Sequence, residues 1–210
     1  DKADLRDPID APGSIDGWRG EFAGLRLEDL DLLPTKPDWA QGLRQIWTPG
    51  EEAGKARIHE FIEHDLEGYE RRRDIPGKQA TSRLSPHLAF GEITPFQIVA
   101  SLRKSRSAGA SKFRSEIGWR EFSYHLLFHN PDLAGRNFRP EFDAMSWRDD
   151  ARALRAWQRG LTGYPIVDAG MRELWRTGWM HNRVRMIAAS FLIKDLMIDW
   201  RHGEKWFWDT

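Results

Sequence analysis

The 210-residue sequence predicts an all-α fold. Three observations carry that reading. The stretch after Gly50 places apolar residues at helical spacing, with acids at its start and bases at its end. Further segments with the same signposts follow, separated by breaks containing Gly, Pro and Asn. No run alternates apolar and polar residues as a half-buried strand would.

Residues 1–49 come first and are rich in Pro, Gly and Asp (DPIDAPGSIDGWRGEF, then LLPTKPDWAQG). They show no sustained periodicity and predict an extended interdomain linker that packs on something larger. From Gly50 the segment PGEEAGKARIHEFIEHDLEGYERRRD predicts a helix over 50–70, with Pro at its start, Glu51 and Glu52 in the first turn and Arg71 to Arg73 at its end. Ile58, Phe61, Ile62, Leu66 and Tyr69 form its apolar stripe. Further helices are expected over 94–104, 110–129, 151–159, 165–176 and 180–197. The loops between them (IPGKQATSRLS, NPDLAGRNFRP, QRGLTGYP) carry turn signals, and no internal repeat is present. Residues 50–210 therefore read as one helical domain.

Composition narrows the functions. The chain has no cysteine, which removes disulfides and thiolate metal sites, and no metal centre is expected. With 40% hydrophobic residues it is an ordinary globular sequence. No apolar run reaches about 18 residues and no charged-then-apolar leader is present, so a soluble, cytoplasmic protein, monomeric and without a membrane span, is expected. The net charge of zero makes no bulk case for nucleic acid. Basic residues nevertheless gather locally: Arg71, Arg72 and Arg73, then Lys78 and Arg83, then Arg183 and Arg185. The commoner origin of such a run is a solvated helix end, where positive charge meets the helix dipole. The eleven tryptophans hint at flat aromatic ligands, although each one alone fits a core equally well.

Three clusters could carry chemistry. Thr81, Ser82, Arg83 and Ser85 offer three hydroxyls and a guanidinium within five residues, a set that can hold a phosphate or simply cap the next helix. Glu116 and Trp119, at i and i+3 and followed by Arg120, put a carboxylate beside an indole, as base recognition requires and as a surface Glu above a core Trp also would. In TGWMHNRVRM, helical spacing aligns Trp179, Asn182 and Met186 with Arg185 beside them, on a face whose continuation is apolar. A guanidinium that points inward needs an anion.

The blocks TSRLSPHLAFGE, WREF, TGYPIVDAGMREL, TGWMHNRVRM and SFLIKDLMIDWRHGEKWF resemble, in this order and spacing, the flavin-binding helical domain of the photolyase/cryptochrome family, and LLPTKPDW resembles its linker. The resemblance covers residues 50–210. It implies an FAD-dependent, light-driven enzyme that repairs cyclobutane pyrimidine dimers in DNA; the alternative is a cryptochrome-like blue-light receptor that signals through protein partners. By the same resemblance, Tyr69, Thr81, Ser82, Arg83, Leu84 and Ser85 would bind the FAD phosphates, while Trp179, Asn182 and Arg185 would lie against the flavin. Glu116, Trp119 and Met186 would meet the flipped dimer, with Asn182 and Met186 favouring cyclobutane dimers over (6-4) photoproducts. Arg73, Arg120 and Arg183 would join Glu116 and Trp119 in contacting DNA, and Trp147 and Trp200 would belong to an electron relay. The resemblance also implies an acidic pair, an asparagine and an innermost relay tryptophan beyond Thr210, and a second, antenna chromophore on an N-terminal domain absent from this chain. On this reading the FAD-binding domain is C-terminally incomplete.

Overall fold

A computed structural model describes residues 6–17, 20 and 24–210. Its helices are α1 (Gln41–Ile46), α2 (Glu51–His64), α3 (Tyr69–Arg72), α4 (Ser85–Ala89), α5 (Pro95–Ser101), α6 (Ala108–His129), α7 (Ala151–Gln158), α8 (Pro165–Thr177), α9 (Asn182–Ser190) and α10 (Trp200–Asp209), with no strand among the described residues. No helix among those residues is long and apolar enough to cross a membrane.

The segment before Gly50 is exposed over most of its described length but contains α1, which the absence of a long periodic run concealed. This helix docks tightly on the end of α8: a Cβ on Gly42 would lie 2.0 Å from the Arg176 carbonyl oxygen, and the Trp47 indole donates to the Thr177 carbonyl at 2.6 Å.

Two separate cores organise the rest. In the first, Phe61 of α2, Tyr69 of α3 and Phe113 of α6 meet as a ring cluster with centroids 4.7 to 5.4 Å apart, joined by Ile58, Leu66, Leu84, Ile93 and Ile98. The helix expected over 50–70 is here corrected to α2 and α3. At the break, α6 crosses so closely that a Cβ on Gly109 would lie 1.7 Å from the Leu66 carbonyl oxygen, and the turn still delivers Leu66 and Tyr69 into the core that the apolar stripe predicts. Thr94 opens α5 with a capping box to Gln97.

The second core packs α7 to α10 around Trp157, which is fully buried and donates to the Ala188 carbonyl at 2.9 Å. α10 approaches it through Gly203, where a Cβ would meet Leu192 at 2.6 Å. The helix expected over 180–197 is also corrected. It begins only at Asn182, after the cap His181, and widens into a π-helical turn at Phe191–Asp195, which puts both Phe191 and Leu192 into the core. Sequence periodicity did not mark α10, although Asp199 caps it by accepting from the Arg201 N–H at 3.0 Å.

Candidate functional site

Between the two cores lies a cleft of about 430 Å³. One wall comes from α3 and its following turn (Tyr69, Arg73, Asp74), the loop Thr81 to Ser85, and Glu116 of α6; the other runs from Gly178 to Asn182 and includes Arg185. The cleft thus gathers all of Tyr69, Thr81, Ser82, Arg83, Leu84, Ser85, Glu116, Trp179, Asn182 and Arg185.

The loop is shaped from outside. Arg57 of α2 donates from Nε to the Ser82 carbonyl at 2.8 Å and from Nη2 to the Thr81 carbonyl at 3.2 Å. Arg83 takes a left-handed backbone (φ 52°), a conformation uncommon for any residue but glycine, and its guanidinium lies 4.4 Å from the Trp179 ring centre. The N-cap of α4 is Leu84, without a side-chain capping bond, so the capping role available to the Ser/Thr cluster is not used. On α4 itself, buried His87 meets Glu92 at 2.6 Å, and Glu92 accepts the Gly50 N–H at 2.7 Å, tying the loop to the start of α2.

Charges on the first wall are paired. Arg73, with a side chain only 10% exposed, contacts the Glu116 carboxylate and approaches Asp74 at 3.3 Å, and Lys112 reaches Glu116 at 3.3 Å. Arg73 is therefore a half-buried wall residue whose charge is matched by Glu116 and Asp74, at a position the resemblance assigns to DNA contact. Of its two neighbours, Arg71 is exposed and Arg72 folds back onto the Asp65 carbonyl at 3.3 Å. Burial, opposed in part by Arg73, pushes the Tyr69 phenol up to about 12.

Arg185 differs. Its half-buried guanidinium lies 5.1 Å from the Phe207 ring centre, has no ion pair among the described residues, and is pushed below its usual pKa by burial. Trp179 precedes the His181 cap, so it reaches the cleft from the connector rather than by helical spacing with Asn182.

Other candidates lie outside the cleft. Trp119 is 60% exposed one turn along α6 from Glu116, with its ring edge-on to Phe122. Arg120 pairs with Glu121 at 2.6 Å. Met186 is exposed, with its sulfur 3.6 Å from Arg183 Nη1. Trp147 is half-buried, and Trp200 donates to Asn137 Oδ1 at 2.8 Å; no direct ring contact joins the two among the described residues.

Two residues went unnoticed in the sequence. Asp74 accepts both nitrogens of the Arg183 fork, and His181 bridges the walls, its Nε2 2.9 Å from the Arg73 carbonyl while Nδ1 accepts the Arg183 N–H at 3.1 Å. Both contacts are satisfied with a proton on Nε2 and the Nδ1 lone pair free to accept. The only available signal was a histidine at a cap position directly before Asn182.

A family profile described as the FAD binding domain of DNA photolyase matches residues 113–210. The deoxyribodipyrimidine photo-lyase of Agrobacterium fabrum is 56% identical over 207 residues, which make up 97% of this chain and 43% of the relative. The chain belongs to the DNA photolyase/cryptochrome family. Among solved structures, a class III photolyase from Agrobacterium tumefaciens superposes with a TM-score of 0.93 at 54% identity, covering 98% of this chain and 44% of that one. A Synechocystis cryptochrome gives a TM-score of 0.71 at 35% identity, over 77% and 35% of the two chains. The chain thus spans less than half the length of these photolyase/cryptochrome relatives, and it carries the helical architecture of their FAD-binding domain.

Proposed function

We propose that the cleft of this chain belongs to the FAD and substrate site of a photolyase that repairs cyclobutane pyrimidine dimers in DNA. The observation that carries the reading is Arg185: a half-buried cation with no ion pair among the described residues, facing a cleft whose opposite wall offers Thr81, Ser82 and Ser85. An anionic, planar, phosphate-bearing group fits that donor set, because burying an unmatched guanidinium is unfavourable until an anion joins it. Arg185, Asn182 and Trp179 would hold the flavin, and Tyr69, Arg83, Leu84 and the three hydroxyls the phosphates. When bound and reduced, FAD would supply light-driven one-electron chemistry at the cyclobutane ring.

The residues of the chain supply binding and orientation. Glu116, held by Arg73 and Lys112, would accept a hydrogen bond from the extruded base, and Trp119, already exposed, would stack on it. Met186 would pack against the dimer, Arg120 and Arg183 would approach phosphates, and Trp147 and Trp200 would pass electrons to an oxidised flavin. An antenna chromophore would sit on a further domain. The test is light-dependent loss of dimers from irradiated DNA by the full-length protein; no loss with a fully reduced flavin would refute repair. The likeness to a cryptochrome favours the second reading, a blue-light receptor, which predicts flavin photochemistry without dimer loss.

A further inference from the structure

A second cavity, of about 500 Å³, opens between α7, α8 and α10 and shares no residue with the cleft. Trp175 and Trp206 form its platform, stacked with ring centres 5.6 Å apart and planes 11° apart, and Met171 adds to the apolar floor. Trp175 is 63% exposed, so its ring is open to a ligand. Every ionisable group in the lining is an arginine: Arg155, Arg159 and Arg172. None of them has an ion pair among the described residues, and Arg172 reaches only a carbonyl, that of Gly160 at 2.7 Å.

That concentration is unfavourable by itself. Arg155 on α7 and Arg159 at its C-cap are at i and i+4, where like charges oppose each other, and Arg152 stands at i–3 from Arg155. The whole chain balances 32 bases with 32 acids, yet of the three lining arginines only Arg172 has an acid shown near it, Asp168, whose carboxyl its charge helps hold below the usual value. The Trp206 indole N–H is also buried with no acceptor among the described residues.

Guanidinium forks match phosphate or carboxylate oxygens, indole faces match planar rings, and the volume lies within the range of small-molecule sites. We propose that this cavity binds a planar aromatic anion of nucleoside-monophosphate size, with the ring on Trp175 and the anionic group between Arg155, Arg159 and Arg172. Gln158 supplies the one neutral amide for the ring edge. The lining holds no carboxylate, imidazole or hydroxyl to act as base or nucleophile, so the site binds rather than catalyses.

The test titrates the full-length, FAD-loaded protein with fluorescent 1,N6-etheno-AMP, using the nucleoside without phosphate and inorganic phosphate as half-ligands. The expected result is one saturable site whose affinity falls at least five-fold in Trp175→Ala and in Arg155→Gln/Arg159→Gln, is kept in Trp175→Phe, and is unchanged in the cleft variant Arg185→Met. Each half-ligand should bind at least ten-fold more weakly. All changed side chains here except Arg185 are exposed, and unaltered melting of the variants verifies their folding. The proposal is overturned if the nucleotide does not bind, if binding ignores the Trp175 and arginine variants, if phosphate alone binds as tightly, or if only a single-stranded oligonucleotide binds.

Discussion

Arg183 holds Asp74 with both arms of its guanidinium fork, Nε and Nη2 each 2.9 Å from a separate carboxylate oxygen. The same Asp74 approaches Arg73, so one carboxylate restrains two cations at the mouth of the cleft. Asp74→Ala should free Arg183 for phosphate. Affinity of the full-length protein for undamaged DNA should rise several-fold, and the slope of log K against log salt should steepen by about 0.9, the value of one added phosphate contact. An unchanged slope would remove Arg183 from the DNA surface.

Asp168 gives the clearest pH dependence. Burial would raise its pKa, but hydrogen bonds from the Thr162 hydroxyl (2.6 Å), the Thr162 N–H (2.8 Å) and the Gly163 N–H (2.9 Å) outweigh it and hold the carboxyl below its usual value. Because the folded pKa is depressed, this stabilisation is complete above the unfolded value of about 3.9 and is lost as pH falls through the folded value. Asp168→Ala should lower the unfolding free energy by about 2–4 kcal/mol at pH 7, and the difference from the parent should shrink below about pH 4 in urea titrations.

Arg185→Met separates function from folding. The arginine is desolvated with no ion pair among the described residues, so its replacement by an unbranched apolar side chain should leave the apoprotein equally or more stable. The flavin reduction potential of the loaded full-length protein should nevertheless fall, because a nearby cation favours the anionic reduced form. A lower melting temperature with an unchanged potential would give Arg185 a purely structural role.

Trp119 and Trp200 should dissociate from each other. Trp119→Ala removes an exposed ring and should lower affinity for dimer-containing DNA roughly 5- to 150-fold, the equivalent of stacking worth about 1–3 kcal/mol, with photoreduction intact. Trp200→Phe loses the bond to Asn137 and should slow photoreduction of oxidised flavin, while chemically reduced enzyme still repairs DNA. Equal loss of FAD in both variants would make them ordinary packing residues.

The cleft was legible where chemistry is local to a motif. All of TSRLS, and His181, Asn182 and Arg185 of HNRVR, line it, and polar groups interrupting apolar surroundings are visible in one dimension. Tertiary contacts were not visible: Arg71, Arg72 and Arg73 read alike, yet one is solvated, one returns to the backbone and one lies half-buried against Glu116. The break after α2 depends on the approach of Gly109, more than forty positions away in sequence. Short elements such as α1 and α4 gave too few residues for a period to register, and the π-helical turn preserved apolar content while changing its phase.

The two cores do not merge into one oily interior; at the cleft they are fastened by polar ties, from His181 to the Arg73 carbonyl, from Arg183 to Asp74 and from the Arg83 cation to the Trp179 ring. Such ties weaken in salt and mild denaturant long before either apolar cluster melts. The molecule is therefore built like two rigid jaws on polar latches, and amide exchange along 178–183 should quicken with ionic strength while Trp157 and Phe61 stay protected. A ligand that spans both jaws would act as the missing bolt, slowing that exchange in proportion to its occupancy.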